Sequence, residues 1–178
     1  MPDRVIAPLR ELRQPLHDGL RHLPAAAEAV TSGDTKQALA ALADALAYLQ
    51  GTLVPLCRSE QFTLFPAVDG VLGSVGATNV MLAQHQSIAA MVDDLAAVEA
   101  AAKRDGDTAP YSLYLLPLLY GLYAGVRLHL ESEDDAYLSL LDEHLSESQV
   151  GVIVDNLVRV AAGNAAPGLT GNHPLGST

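Results

Sequence analysis

The chain has 178 residues, and 49% of them are hydrophobic, mostly Ala, Leu and Val with few aromatics and no Trp. That is the size of one domain with a proper core, built from residues that suit packed helices better than sheets. A net charge of −11 excludes nucleic-acid binding, which needs clustered Lys and Arg, and its acid excess serves solubility.

The single cysteine, Cys57, excludes an internal disulfide and gives no sign of an oxidising compartment. Arg and Glu run through the first thirty residues and leave no continuous apolar core there, so no secretory signal is expected and the location read is cytoplasmic.

Five helices are predicted. The first spans about Val5 to Val30 and ends at Thr31-Ser32-Gly33-Asp34, with Pro8, Pro15 and Pro24 as sources of kinks. The second runs from Thr35 to about Val68, and the loop Asp69 to Ala77 follows with Gly70, Gly73 and Gly76. The third covers Thr78 to about Lys103 and stops at Asp105-Gly106-Asp107. The fourth runs from Pro110, tolerated in a first turn, to about His144. Ser146 and Gln149 make a capping-box pattern for a short fifth helix through about Ala161. Residues from Gly163 read as a flexible tail. Short connections between long helices give an all-α, up-down-up-down four-helix bundle over residues 1–162, with the tail at 163–178.

Between Ala109 and Val126 there are 18 residues without a charge, the threshold length for a membrane span. Pro117, Gly121, Gly125, Ser112 and four tyrosines interrupt it, and no basic cluster flanks it. A helix buried in the bundle accounts for it better, and no membrane partner is expected.

Two helices place polar groups in apolar stripes. Leu42, Leu46, Leu49, Leu53, Leu56, Glu60 and Leu64 recur at three- and four-residue steps, the period of one buried helix face. A carboxylate on that face costs several kcal/mol unless it is neutralised, paired or bound to a metal. Leu118, Leu122, Val126, His129, Glu133, Ala136 and Leu140 trace a second stripe, and His129 and Glu133, four apart, can reach one metal from adjacent turns. His85 falls on the stripe Met81, His85, Ile88, Val92, Leu95, and His17 lies beside Leu16 and Leu20. Singly, each has an ordinary explanation as a hydrogen-bonded core histidine or a solvated acid. Together they offer an imidazole or carboxylate from each of four helices.

The run Leu119 to Glu133 followed by Tyr137-Leu138-Ser139-Leu140-Leu141 resembles the fourth-helix motif of hemerythrin-like HHE cation-binding proteins of bacterial type. Met81-Leu82-Ala83-Gln84-His85 resembles their third-helix element, Glu60 with Leu64-Phe65-Pro66 the end of the second, and the Leu16-His17 region the first. The likeness covers about residues 9–160. It implies metal ligands at His17, Glu60, His85, His129 and Glu133.

One position departs from the pattern. The family carries a histidine four residues before Glu60, where this chain has Leu56. Cys57, three before Glu60, shares its helix face and is a candidate substitute, as are a water and Tyr48. As a small buried hydrophobe, Cys57 is better explained by packing, with a water or a tyrosine expected to complete the site. Three imidazoles and two carboxylates suit iron and admit manganese or zinc. If both glutamates bridge two irons and an oxo or hydroxo group joins them, roughly nine of about twelve positions are filled. Open positions suit a small diatomic or peroxide ligand, as in catalytic rather than closed sites. The resemblance therefore implies two irons per chain and the binding, sensing or detoxification of O2, peroxide or NO. A catalase-like or peroxidase enzyme and a metal-storage or interaction bundle with a degenerate centre are the alternatives. The chain is expected as a monomer or homodimer.

Overall fold

Proline and glycine decide where the predicted helices break. The computed structural model describes residues 5–163, and the regular structure among the described residues is helical. The first predicted helix is divided into α1 (Ala7–Gly19) and α2 (His22–Ser32). At the break, a Cβ on Gly19 would lie 2.1 Å from the Tyr48 ring, so the approach of that ring requires glycine. Leu20 N turns to His17 O, leaving the Leu16 carbonyl outside the helical ladder. Tyr48 Oη donates to it at 2.7 Å, which satisfies an acceptor that a helix end otherwise leaves unpaired.

The second run comprises α3 (Thr35–Tyr48), a π-helical turn (Leu49–Leu53), α4 (Val54–Phe62) and α5 (Leu64–Leu72). Asp34 caps α3 by accepting Gln37 N at 3.0 Å, the expected N-terminal chemistry. In the wide turn Val54 N bonds to Leu49 O, five residues back. Pro55 follows and has no N–H with which to continue a four-residue ladder. α4 ends at Thr63, whose φ of −130° leaves the helical region.

The loop before α6 (Asn79–Asp105) is held by Asp69, whose carboxylate accepts Gly76 N at 2.7 Å and Thr78 N at 3.1 Å. Those donors keep its carboxyl below the ordinary range. The fourth run comprises a 3-10 turn (Ala109–Tyr111), α7 (Ser112–Ser132), a second π-helical turn (Glu133–Leu138) and α8 (Ser139–His144). α9 (Glu147–Ala161) opens on the predicted Ser146–Gln149 capping box. The tail expected from Gly163 onward lies, beyond Gly163 itself, outside the described residues.

The second π turn corrects the predicted stripe. Up to Glu133 the buried residues are Leu115, Leu119, Leu122, Val126, His129 and Leu130, but after it they are Leu138 and Leu141, while Ala136 is exposed and Leu140 half-buried. A wide turn takes one more residue than an α turn, so the inward step from Glu133 is five residues and every later position slips by one.

α2 packs on α3 and α7, and α6 packs on the same two, which closes a ring of four helices. α9 lies against α4 and α1, and α5 against α8. Leu23, Leu42, Leu95, Leu115, Leu119 and Leu122 are wholly buried between them, each the kind of side chain whose truncation to Ala costs about 2–5 kcal/mol. By length and composition the runs Thr35–Leu72 and Ala109–His144 could both cross a membrane. Each, however, carries charged or imidazole groups on its packed face: Glu60 on one, His129 and Glu133 on the other.

Candidate metal centre

Arg13 lies at the heart of the inward-facing groups. The α1 stripe Leu9, Arg13, Leu16 is buried, with Arg13 only 2% exposed. Its Nη1 donates to Glu60 Oε1, Nη2 lies 2.7 Å from Glu133 Oε2 and Nε donates to Asp134 Oδ1 at 3.1 Å. The Glu133 contact is an ion pair. Burial alone would weaken the guanidinium's hold on its proton, but Glu60, Glu133 and Asp134 outweigh it and raise its pKa. The π turn at Glu133 allows consecutive acids, Glu133 and Asp134, to meet one guanidinium.

On the far side of the carboxylates from Arg13 stand two imidazoles. Glu60 Oε2 is 3.6 Å from His85 Nε2, Glu133 Oε1 is 3.9 Å from the same nitrogen, and Glu133 Oε2 is 3.6 Å from His129 Nε2. His85 Nε2 and His129 Nε2 are 2.9 Å apart. Gln84 presents its amide oxygen to His129 Nδ1 at 3.0 Å, which keeps the proton there and leaves the Nε2 lone pair for the centre. Gln61 Nε2 stands 3.2 Å from His85 Nδ1, so that His85 carries its proton on Nε2 and donates it to His129. Turning the Gln61 amide over would move the His85 proton to Nδ1 and free Nε2 as well. Such outer partners orient metal-binding histidines. Phe65 stacks on His85 with ring centroids 5.0 Å apart.

Burial governs the protonation of these groups. It lowers the pKa of His85 to about 4, helped by His129 and Arg13, and that of His129 to about 4, helped by Arg13. Both rings are neutral at pH 7, the form that ligates. Burial, reinforced by Glu133, raises Glu60 to about 8. The Cys57 thiol is likewise pushed well up by burial and by Glu60 and Glu133.

Donor atoms from Cys57, Glu60, His85 and His129 all lie within 4.8 Å of one another, and all four residues are buried. Glu133 joins them at the contacts given above. Glu60 Oε2 and Glu133 Oε1 are wholly buried and accept no hydrogen bond. Two ligand bonds of about 2.0–2.1 Å at a tetrahedral angle would set the imidazole nitrogens roughly 3.3 Å apart, a few tenths of an ångström wider than found. The group therefore fits a cation with little movement. A cavity of about 180 Å³, bordered by Val54, Cys57, Arg58, Gln61, His85 and Ile88, opens beside it.

Two other candidates stand apart. The His17 side chain, 34% exposed, pairs with Asp134 Oδ2 at 2.9 Å, one turn beyond the inward position that Arg13 occupies. Tyr48 commits its hydroxyl to Leu16 O, and burial raises its pKa. Leu56 belongs to the apolar core, whereas its neighbour Cys57 reaches the cluster. Sequence reasoning passed over Arg13, although Leu9-Arg13-Leu16-Leu20 shows the same sign as Glu60, a charge at three- and four-residue steps among leucines.

Among curated proteins and among solved structures no significant match is found. The hemerythrin HHE cation-binding domain, in contrast, matches residues 10–141, a span that holds Arg13 and every one of these donors, and on that match the chain belongs to the hemerythrin HHE family.

Proposed function

We propose that the chain is a non-haem iron protein that binds a small oxidant, namely O2, peroxide or NO, at this centre. One observation carries the reading. Two buried carboxylate oxygens without hydrogen bonds, Glu60 Oε2 and Glu133 Oε1, face the neutral His85 imidazole across distances of 3.6 and 3.9 Å, and His129 Nε2 lies 2.9 Å from the same His85 nitrogen. A buried acceptor left unmade is costly, and a cation is the partner that would satisfy both at once. Iron would supply the redox chemistry, while the protein supplies orientation and access. Gln84 and Gln61 aim the imidazoles, Phe65 holds the His85 ring, and the cavity at Cys57 and His85 admits a ligand of few atoms. Short links between successive long helices support the up-down-up-down bundle order on which such a centre is built.

The test is metal analysis of protein produced in iron-replete medium, followed by anaerobic addition of NO or peroxide with the absorption spectrum recorded. Retained iron and a spectral change on ligand addition are expected. Protein that holds no metal after production and after reconstitution would leave the interaction-bundle reading instead. Steady decomposition of peroxide would favour the catalase-like alternative.

A further inference from the structure

We propose that Arg13 takes the place of a second cation, so that the centre holds one metal ion ligated by Cys57 Sγ, Glu60 Oε2, His85 Nε2 and His129 Nε2, with Glu133 Oε1 beside it. The inference rests on the metal-binding reading above and changes the number of ions and the donor set that it implies.

The carboxylates supply the main reason. A glutamate that joins two metal ions uses both of its oxygens, one on each. Here Glu60 Oε1 and Glu133 Oε2 are already directed at Arg13, which leaves each residue one oxygen. The remaining donors are those two oxygens, two imidazole nitrogens and one sulfur. Five donors serve one ion of four to six positions and fall well short of the roughly twelve that two octahedral ions require.

Space and charge agree with this count. The guanidinium lies between the two carboxylates and is itself buried, so a second ion could enter only by expelling it. With Cys57 as thiolate, Glu60 and Glu133 ionised and Arg13 charged, the group carries two excess negative charges, which one divalent cation cancels. Asp134 has both oxygens engaged, Oδ1 by Arg13 Nε at 3.1 Å and Oδ2 by His17 Nε2 at 2.9 Å, and offers neither to the ion.

The sulfur gives the site its selectivity. Cys57 follows the Pro55 turn and places Sγ among the other donors, where Leu56 cannot ligate. A set of thiolate, two imidazoles and a carboxylate favours iron, cobalt or zinc and disfavours manganese and magnesium, which prefer all-oxygen surroundings. A metal would also hold the thiol deprotonated, as coordination does.

Cobalt(II) is the probe. The full chain, stripped by a chelator, is titrated anaerobically with cobalt(II) while uptake and the near-ultraviolet spectrum are followed. One equivalent per chain and a thiolate-to-cobalt band are expected. In Cys57→Ser the band should vanish while the helical signal is kept, and affinity should fall by more than the roughly 10- to 100-fold that loss of an outer partner costs. Arg13→His, which removes the fixed charge and offers an imidazole, should raise uptake to two equivalents. Two equivalents in the unaltered chain would overturn the proposal, as would a band that survives Cys57→Ser. A folded Arg13→His that still takes one equivalent overturns the role given to Arg13. If that variant does not fold, the unaltered chain and Cys57→Ser still decide. A chain that takes up no cobalt, iron or zinc fails the metal-binding reading itself, a result distinct from all of these.

Discussion

Removing the Arg13 charge while keeping its apolar length should expose how much of the fold depends on it. In Arg13→Met, Glu60 Oε1 and Glu133 Oε2 lose their cationic partner, and both side chains stay at most 1% exposed. Breaking a buried pair from one side costs about 3–5 kcal/mol, because the partner charge is left uncompensated. That is a large part of the 5–15 kcal/mol typical of a domain. Glu60 has a pKa near 8 even with Arg13 present, so the variant will keep Glu60 protonated and the loss will settle toward the lower end of that range. Urea unfolding of chelated protein at pH 7.5 measures it. Divalent cation should then restore more stability to the variant than to the unaltered chain, since the repelling guanidinium is gone; an ion at a hundred times its Kd adds about 2.7 kcal/mol. A loss below about 1 kcal/mol would show that Arg13 does not neutralise these carboxylates.

The remaining predictions follow from the same geometry. In the metal-free chain Glu60, raised to about 8, holds a proton that the unfolded chain has released above about pH 4.3, so its contribution falls by roughly 1.4 kcal/mol per pH unit from there to pH 8. His85 and His129, lowered to about 4, act oppositely, and their two contributions rise with pH up to about 6.5. Stability should therefore peak near pH 6.5, and unfolding midpoints that climb steadily to pH 8 would contradict the assignments. Gln84→Ala should weaken metal binding about 10- to 100-fold by releasing the His129 ring, read by competition with a chelating dye. His17→Ala, at a partly exposed pair with Asp134, should keep its metal content and lose under about 1 kcal/mol; loss of the metal would return His17 to the ligand set. Gly19→Val should force the Tyr48 ring away at a cost of at least about 1–3 kcal/mol, seen as a lower melting temperature with metal uptake retained.

Local patterning alone determined the helical make-up, most helix ends and the inward position of four donors. Three- and four-residue spacing fixes which face of a helix is buried wherever the turn is regular, which is why Glu60, His85, His129 and Glu133 were legible beside their leucines. Asp34 and the Ser146–Gln149 box were legible for the same reason, since a cap acts over three residues. What failed was whatever depended on a turn of irregular width or on a distant partner. The π turn after Glu133 shifted the inward residues to Leu138 and Leu141, and the break at Gly19 was set by a ring 29 positions later in the chain, that of Tyr48. His17 drew attention because imidazole is a ligand, yet the register of α1 turns Arg13 inward and leaves His17 beside Asp134. Which of two neighbours on a helix faces a centre depends on how that helix is rotated against the others. That rotation is settled by packing among segments far apart in sequence, so only the tertiary structure could place a guanidinium between Glu60 and Glu133 and bring the Cys57 sulfur to the imidazoles.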